Sequence, residues 1–196
     1  MKGLMRVLGG AIVAMALAAP AHAAPINVAA GATVTTTGVV GVMTCCWPVG
    51  PLAPLSSITD GVFLPEESIW QTDTVWWDER NAASTDNVIE IDLGGLFDIT
   101  RLTIQADNNE SYLVSYRDAG GFWIALPFAG PLGPFGMITR DSGPVSFQAS
   151  GFRIDAAGGD AFYSVSEFQA FAAPEPGVLA LLGLGVAGAI RRRLRG

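Results

Sequence analysis

The sequence predicts an all-β protein, a β-sandwich of jelly-roll type, and three observations lead there. Residues 87–118 hold three segments that alternate apolar and polar side chains. Further short apolar runs recur on both sides, set apart by Gly, Pro, Asn and Asp. Between the two chain ends no helical periodicity is visible. A period of two marks a half-buried strand, because successive side chains point to opposite faces of a sheet.

The three central segments carry the pattern most clearly. Ile89, Ile91 and Leu93 oppose Glu90 and Asp92; Leu102, Ile104 and Ala106 oppose Arg101, Thr103 and Gln105; Tyr112, Val114 and Tyr116 oppose Leu113, Ser115 and Arg117. Gly94-Gly95 and Asp107-Asn108-Asn109 are turn formers and predict breaks, giving an antiparallel meander. Phe122 to Leu126, Val145 to Ala149, Phe152 to Asp155 and Phe162 to Phe171 read as further strands, with a Gly/Pro-rich loop from Ala129 to Gly143. Thr33-Val34-Thr35 and Val39-Val40 add short strands ahead of the meander. Roughly eight strands at short spacing make the jelly-roll sandwich.

Both chain ends stand apart from this body. Met1 to Ala23 has a basic start (Lys2, Arg6), an apolar core and the Ala-x-Ala site Ala21-His22-Ala23. It reads as a secretory signal helix handled by the Sec machinery and signal peptidase, with the mature chain starting near Ala24. Residues 173–196 begin with Pro174-Glu175-Pro176, continue in the apolar run GVLALLGLGVAGAI, and end in an Arg cluster. That run predicts a short hydrophobic helix, below the roughly 20 residues of a full membrane span, with the basic end held on the cytoplasmic side. Four parts result: signal peptide 1–23, N-terminal strands and a Cys-Cys loop 24–55, the sandwich 56–172, and the tail 173–196.

Composition excludes several chemistries. Met1 to Ala23 and Gly177 to Gly196 carry six of the 11 basic residues and none of the 18 acidic ones, so the remainder has five against 18, a formal charge of −13. Such a surface repels phosphate backbones and excludes nucleic-acid binding. The only His and the only Lys, His22 and Lys2, lie in the predicted signal peptide. The mature body therefore lacks the groups for Ser-His-Asp or Cys-His catalysis, Schiff bases and His-ligated metals. Cys45 and Cys46 are adjacent. In an oxidising compartment they could form a vicinal disulfide, pair with other chains, or stay as thiols beside Trp47.

Trp70, Trp76 and Trp77 form an aromatic cluster. Tryptophan faces stack on sugar rings, and they also plug sandwich cores. Neighbours on an extended strand point to opposite sides, so one of Trp76 and Trp77 is expected to face outward as the better candidate for a ligand contact. Asn108, Asn109 and Glu110, at a strand-to-strand turn, could hydrogen-bond sugar hydroxyls, though Asn-rich turns also form without any function.

Two resemblances sharpen this reading. The tail, with Pro174-Glu175-Pro176, the apolar run and the Arg cluster in order, resembles the PEP-CTERM sorting signal of Gram-negative bacteria. It implies export across the inner membrane and transient anchoring by the C-terminal helix. It also implies recognition by an exosortase and a final place at the cell surface or in an extracellular polysaccharide matrix. The body resembles a galactose-binding-like (discoidin-type) sandwich. The resemblance rests on the order Ile58-Thr59-Asp60-Gly61, Trp70, Ile89 to Gly94, Ile99 to Ile104, Tyr112 to Asp118 and Ser166-Glu167-Phe168. It implies a carbohydrate-binding role and a structural calcium ion, with Asp60 and Glu167 at the corresponding positions. Hard Ca²⁺ favours such oxygen ligands, and the acidic body supplies them. The Trp-rich insert between Trp70 and Val88 departs from the family pattern. So does the absence of any Cys after Cys46, which excludes the family's terminal disulfide.

The expected function is thus an exported, non-catalytic, carbohydrate-binding surface or biofilm-matrix protein. A purely structural matrix protein, crosslinked through Cys45 or Cys46, is the alternative. An enzyme would need a carboxylate pair facing one cleft; Glu66-Glu67 and Asp78-Glu79 are adjacent, and adjacent strand residues point apart.

Overall fold

A computed structural model describes residues 24–43, 50–80, 86–133 and 136–173. The predicted signal and tail helices, Cys45, Cys46 and the Pro174-Glu175-Pro176 motif lie outside these residues. Nine strands form in the order β1 Ile26–Asn27, β2 Thr33–Thr36, β3 Val75–Asp78, β4 Ile89–Asp107, β5 Ser111–Arg117, β6 Trp123–Ala129, β7 Met137–Asp141, β8 Phe147–Ala157 and β9 Phe162–Ala172. A 3₁₀ turn, Leu55–Thr59, is the one helical element among the described residues.

All the strand pairings are antiparallel, and β4 is the axis of the molecule. Its first part, Ile89 to Asp92, lies between β2 and β8. Its last part, Thr103 to Asp107, lies between β9 and β7. One layer is therefore β2-β4-β8-β5-β6 and the other β3-β9-β4-β7, joined where β4 changes partners. β2 pairs with β4 as far as Asp92 and β9 from Ile99, while β8 stays alongside from Ile89 to Ile99 across a register shift between Asp92 and Phe97, where Gly94 takes φ 70°. Glycine bears that left-handed conformation without a Cβ clash, and the bulge bends the strand.

Side chains of the two layers meet in a continuous core. Phe152 of β8 packs on Phe168 of β9 at 4.9 Å, and Tyr112 of β5 meets Tyr163 of β9 edge-on at 6.4 Å. Ile89, Ile91, Leu102, Ile104, Val114 and Ile154 are all buried, as the period-two pattern requires.

Several expected boundaries move. Gly94-Gly95 does not end a strand: β4 runs through it, and the break survives as a register shift against β8. The meander is not formed either, because β8 inserts between β4 and β5. The two segments expected at 145–149 and 152–155 fuse into β8. Val39-Val40 is not a strand, and β7 forms inside the stretch expected to be a loop. β7 is stabilised by its partner strand rather than by its own composition: Thr139 lies opposite Gln105 and Arg140 opposite Ile104.

Candidate functional site

Segment 60–73 roofs the outer face of the β3-β9-β4-β7 layer, and this contact reorganises the expected site. Gln105 points outward from β4, yet it is fully buried. Its Nε2 donates to the Leu64 carbonyl at 2.9 Å and to Glu66 at 3.2 Å, and its Oε1 accepts from Leu64 N–H at 2.8 Å and Ser166 Oγ at 2.7 Å. Glu66 in turn accepts from the Thr139 N–H at 3.0 Å and from the Thr139 hydroxyl. Gln105, Glu66, Thr139 and Ser166 are drawn into one network, which lowers the cost of burying them beneath the roof.

The same roof corrects the reading of the tryptophans. Trp76 and Trp77 do point to opposite sides of β3, but both are 0% exposed. Trp77 faces the core against Tyr163 at 5.5 Å. Trp76 faces the roof, where Trp70 meets it edge-on at 6.0 Å; Trp70 also stacks on Phe162 at 5.3 Å. Neither Trp76 nor Trp77 presents a ring to a ligand. The half-buried Trp70 is the aromatic of this cluster that reaches the surface.

Asp60 and Glu167, 107 positions apart in sequence, are brought together. Gly61 N–H donates to Glu167 Oε2 at 3.2 Å, and Asp60 Oδ1 accepts from Val62 N–H at 2.8 Å. Glu167 is fully buried, and its Oε1 has no hydrogen-bond partner. Desolvation, and after it the neighbouring charge of Asp60, raise its pKa to about 7 against the stabilising Gln169 and Gly61 donors. Among the described residues no three His, Cys, Asp or Glu side chains converge to hold a metal. The pair thus offers two carboxylates, one with a buried, unpartnered oxygen; carbonyls and water would have to complete the six to eight oxygens that Ca²⁺ takes.

At one end of the sandwich four loops meet, linked contact by contact. The β4–β5 turn holds Asn108 and Asn109. Asn108 is 4% exposed, and its carbonyl accepts from Leu132 N–H at 2.9 Å and Gly133 N–H at 3.2 Å, so it secures the 130–133 loop. Asp107 Oδ1 accepts from Asn108 N–H at 2.9 Å and from Gly136 N–H at 2.8 Å. Gly136 lies against Glu67 of the roof, and Asp160 of the β8–β9 turn neighbours Glu110. Asn109 is half-buried, and its amide oxygen has no partner. Sequence placed both asparagines on one turn; the structure buries Asn108 against the 130–133 loop and leaves Asn109 half-buried, with its amide oxygen enclosed.

Glu110, expected with the two asparagines as a partner for sugar hydroxyls, is sealed instead. It is 0% exposed, and no well-formed hydrogen bond reaches either oxygen, although the Asp160 backbone N–H lies near. Burial, then the charges of Asp107 and Asp160, push its pKa up to about 9. Arg140 is close but spends its donors on the carbonyls of Gly130, Ala106, Ile138 and Asp107. A run of Asp-Asn-Asn-Glu is visible in the sequence, but the loops that bury its last member are not.

Comparison with known proteins agrees with this geometry. Residues 172–193 match the PEP-CTERM protein-sorting motif, which marks the chain for export and membrane-anchored sorting by an exosortase in Gram-negative bacteria. No curated protein matches the chain in sequence. In structure it is similar to a fucose-binding module from Streptococcus pneumoniae, at TM-score 0.50 and 13% identity, covering 76% of this chain and 96% of that one. It is similar to the lectin domain of lectinolysin complexed with Lewis B antigen, at TM-score 0.50, 13% identity and coverage of 76% and 98%. CpGH89CBM32-5 from Clostridium perfringens, in complex with GalNAc-β-1,3-galactose, gives TM-score 0.50, 17% identity and coverage of 76% and 100%. By contrast, the chain spans 28% of the length of SpGH29, at TM-score 0.48 and 16% identity. The body therefore has the galactose-binding-like sandwich fold found in carbohydrate-binding modules. Among the described residues no helix is long and apolar enough to cross a membrane; the apolar run of the tail lies outside them.

Proposed function

We propose that the chain is an exosortase-sorted protein of the cell surface or extracellular matrix, and that its sandwich is a non-catalytic carbohydrate-binding module. The observation that carries this reading is the loop end. There four loops meet around the half-buried Asn109 of the β4–β5 turn. An amide both donates and accepts, as a sugar hydroxyl does, so it is suited to that ligand. Its structural neighbours are carbohydrate-binding modules, which supports the same class of partner.

Acid–base catalysis is disfavoured by how the carboxylates are used. Glu66 is bound to Thr139 and Gln105; Asp78 is fully buried with Arg80 on it; Glu110 is sealed from solvent. A glycosidase needs two carboxyl groups open to one cleft, roughly 5–10 Å apart.

The test is calorimetric titration of the full chain with the exopolysaccharide of the producing organism. Saturable heat that falls three- to tenfold in affinity for Asn109→Ala, about one hydrogen bond's worth, is the expected result. A folded protein giving no heat would leave the structural matrix role in its place.

Calcium at Asp60 and Glu167 belongs to the same proposal. A cation there would partner the buried Oε1 and would require Glu167 to be ionised. Since Glu167 keeps its proton up to about pH 7, stabilisation by calcium should be small at pH 5.5 and larger at pH 8. At 100-fold excess over Kd a ligand of the folded state adds about 2.7 kcal/mol. Thermal unfolding with calcium or a chelator should therefore separate at pH 8 for the wild type and coincide for Glu167→Gln. Coincident curves for the wild type at pH 8 would dismiss the site.

A further inference from the structure

The outward face of the β2-β4-β8-β5-β6 layer carries two cross-strand rows set by register. One row runs Thr35, Glu90, Arg153, Ser115, Ala125; the next runs Thr33, Asp92, Gly151, Arg117, Trp123. Gly151 lies at the centre of the second row, and its missing side chain makes a trough. A Cβ there would stand 2.7 Å from the Ile91 carbonyl and 3.3 Å from Arg117 Nη2. Across the trough Arg117 Nη2 reaches Asp92 Oδ1 at 3.2 Å, while its Nε is fixed by Ser150 Oγ at 3.0 Å. Arg153 pairs with Glu90. Both guanidinium groups lie over the half-buried Trp123 ring, Arg153 at 4.5 Å and Arg117 at 5.8 Å from its centre. The result is a cavity of about 150 Å³ between Thr33, Thr35, Glu90, Asp92, Arg117 and Trp123.

We propose that this sheet-face trough is a second glycan-binding site, which takes an uncharged, hydroxyl-rich saccharide. The chemistry points there for two reasons. Its two guanidinium and two carboxylate groups cancel in charge, and each is already paired. An anionic or cationic ligand would have to break a pair to gain a partner, whereas a hydroxyl donates to a carboxylate and accepts from a guanidinium without disturbing either. Beside these groups the Trp123 ring supplies apolar surface for the C–H edge of a pyranose. The trough is separate from the loop end, since Arg117 is six residues along β5 from Ser111, roughly 20 Å at about 3.3 Å per residue. The inference rests on the carbohydrate reading for its class of ligand, and on the sheet geometry for its place.

The experiment is binding of the purified full chain to a printed array of uncharged, uronate-bearing and sulfated glycans. Wild type, Trp123→Ala and Thr33→Arg, which fills the trough from its rim while leaving the ring, are compared after thermal unfolding shows them equally folded. Signal on uncharged glycans that falls at least tenfold in Trp123→Ala and Thr33→Arg supports the trough. Signal unchanged in both trough variants overturns it and leaves the carbohydrate reading standing. Signal confined to uronate-bearing or sulfated glycans overturns the class of ligand. No signal for the wild type overturns the trough and the carbohydrate reading together.

Discussion

Replacing Trp77 by Ala is expected to destabilise the whole domain by about 3–5 kcal/mol, the range for deleting a large aromatic from a packed core. The ring is fully buried against Tyr163 on β9, which itself meets Tyr112 on β5. It therefore sits where the two layers interlock. Domains of this size are stable by only about 5–15 kcal/mol, so the loss removes roughly a fifth or more of the margin. Urea unfolding at neutral pH measures it directly. An unchanged midpoint, with glycan binding lost, would instead place the ring at a binding surface and contradict its burial. Trp76→Ala should behave in the same way, through loss of the contact with Trp70 that holds the roof down.

A Gln at position 110 should make the protein more stable, and increasingly so as pH rises. The Glu110 carboxyl ordinarily titrates at 4.5 and is pushed up to about 9 in the fold, first by burial and then by Asp107 and Asp160. Because the folded state holds this proton more tightly than the unfolded chain, stability is greatest below about pH 4.5. It declines from there until the folded-state group itself ionises near pH 9. The decline is at most about 1.4 kcal/mol per pH unit. Tyr112 and Arg140 also face the group, but Tyr112 is held neutral by burial and the Arg140 donors are taken by carbonyls. Gln keeps the size and a donor for Asp107 while removing the charge. Unfolding free energies of wild type and Glu110→Gln should agree at pH 4 and diverge steadily towards pH 8, with the variant higher. Parallel profiles would show that Glu110 ionises in the fold without cost.

What could be read from the residues follows physical range. Period-two patterns around Ile89–Leu93 and Tyr112–Tyr116 depend on neighbouring residues and one buried face, so the strands were legible. The pattern at Thr103 and Gln105 misled, because it assumed that the second face of the sheet meets water. A roof from residues 60–73 covers that face, and no local signal announces it. The expectation of an outward Trp failed for the same reason: alternation sets the direction of a side chain, and only the covering segment decides whether that direction is exposed. Asp60 and Glu167 could be paired in the sequence only through the resemblance. The burial of Glu110 could not be read there, since it depends on the β8–β9 turn at residues 159–160.

The sequence by itself determined the all-β class, the acidic body without His or Lys, and the sorting tail, since composition, alternation and a contiguous motif need no third dimension. Tertiary structure alone decided that β4 passes between two layers and that both tryptophans are sealed. It alone brought Arg117, Gly151 and Trp123 side by side. Each of these depends on the pairing of segments distant along the chain, and strand register, which a bulge at Gly94 can shift, is a property of two strands and not of one.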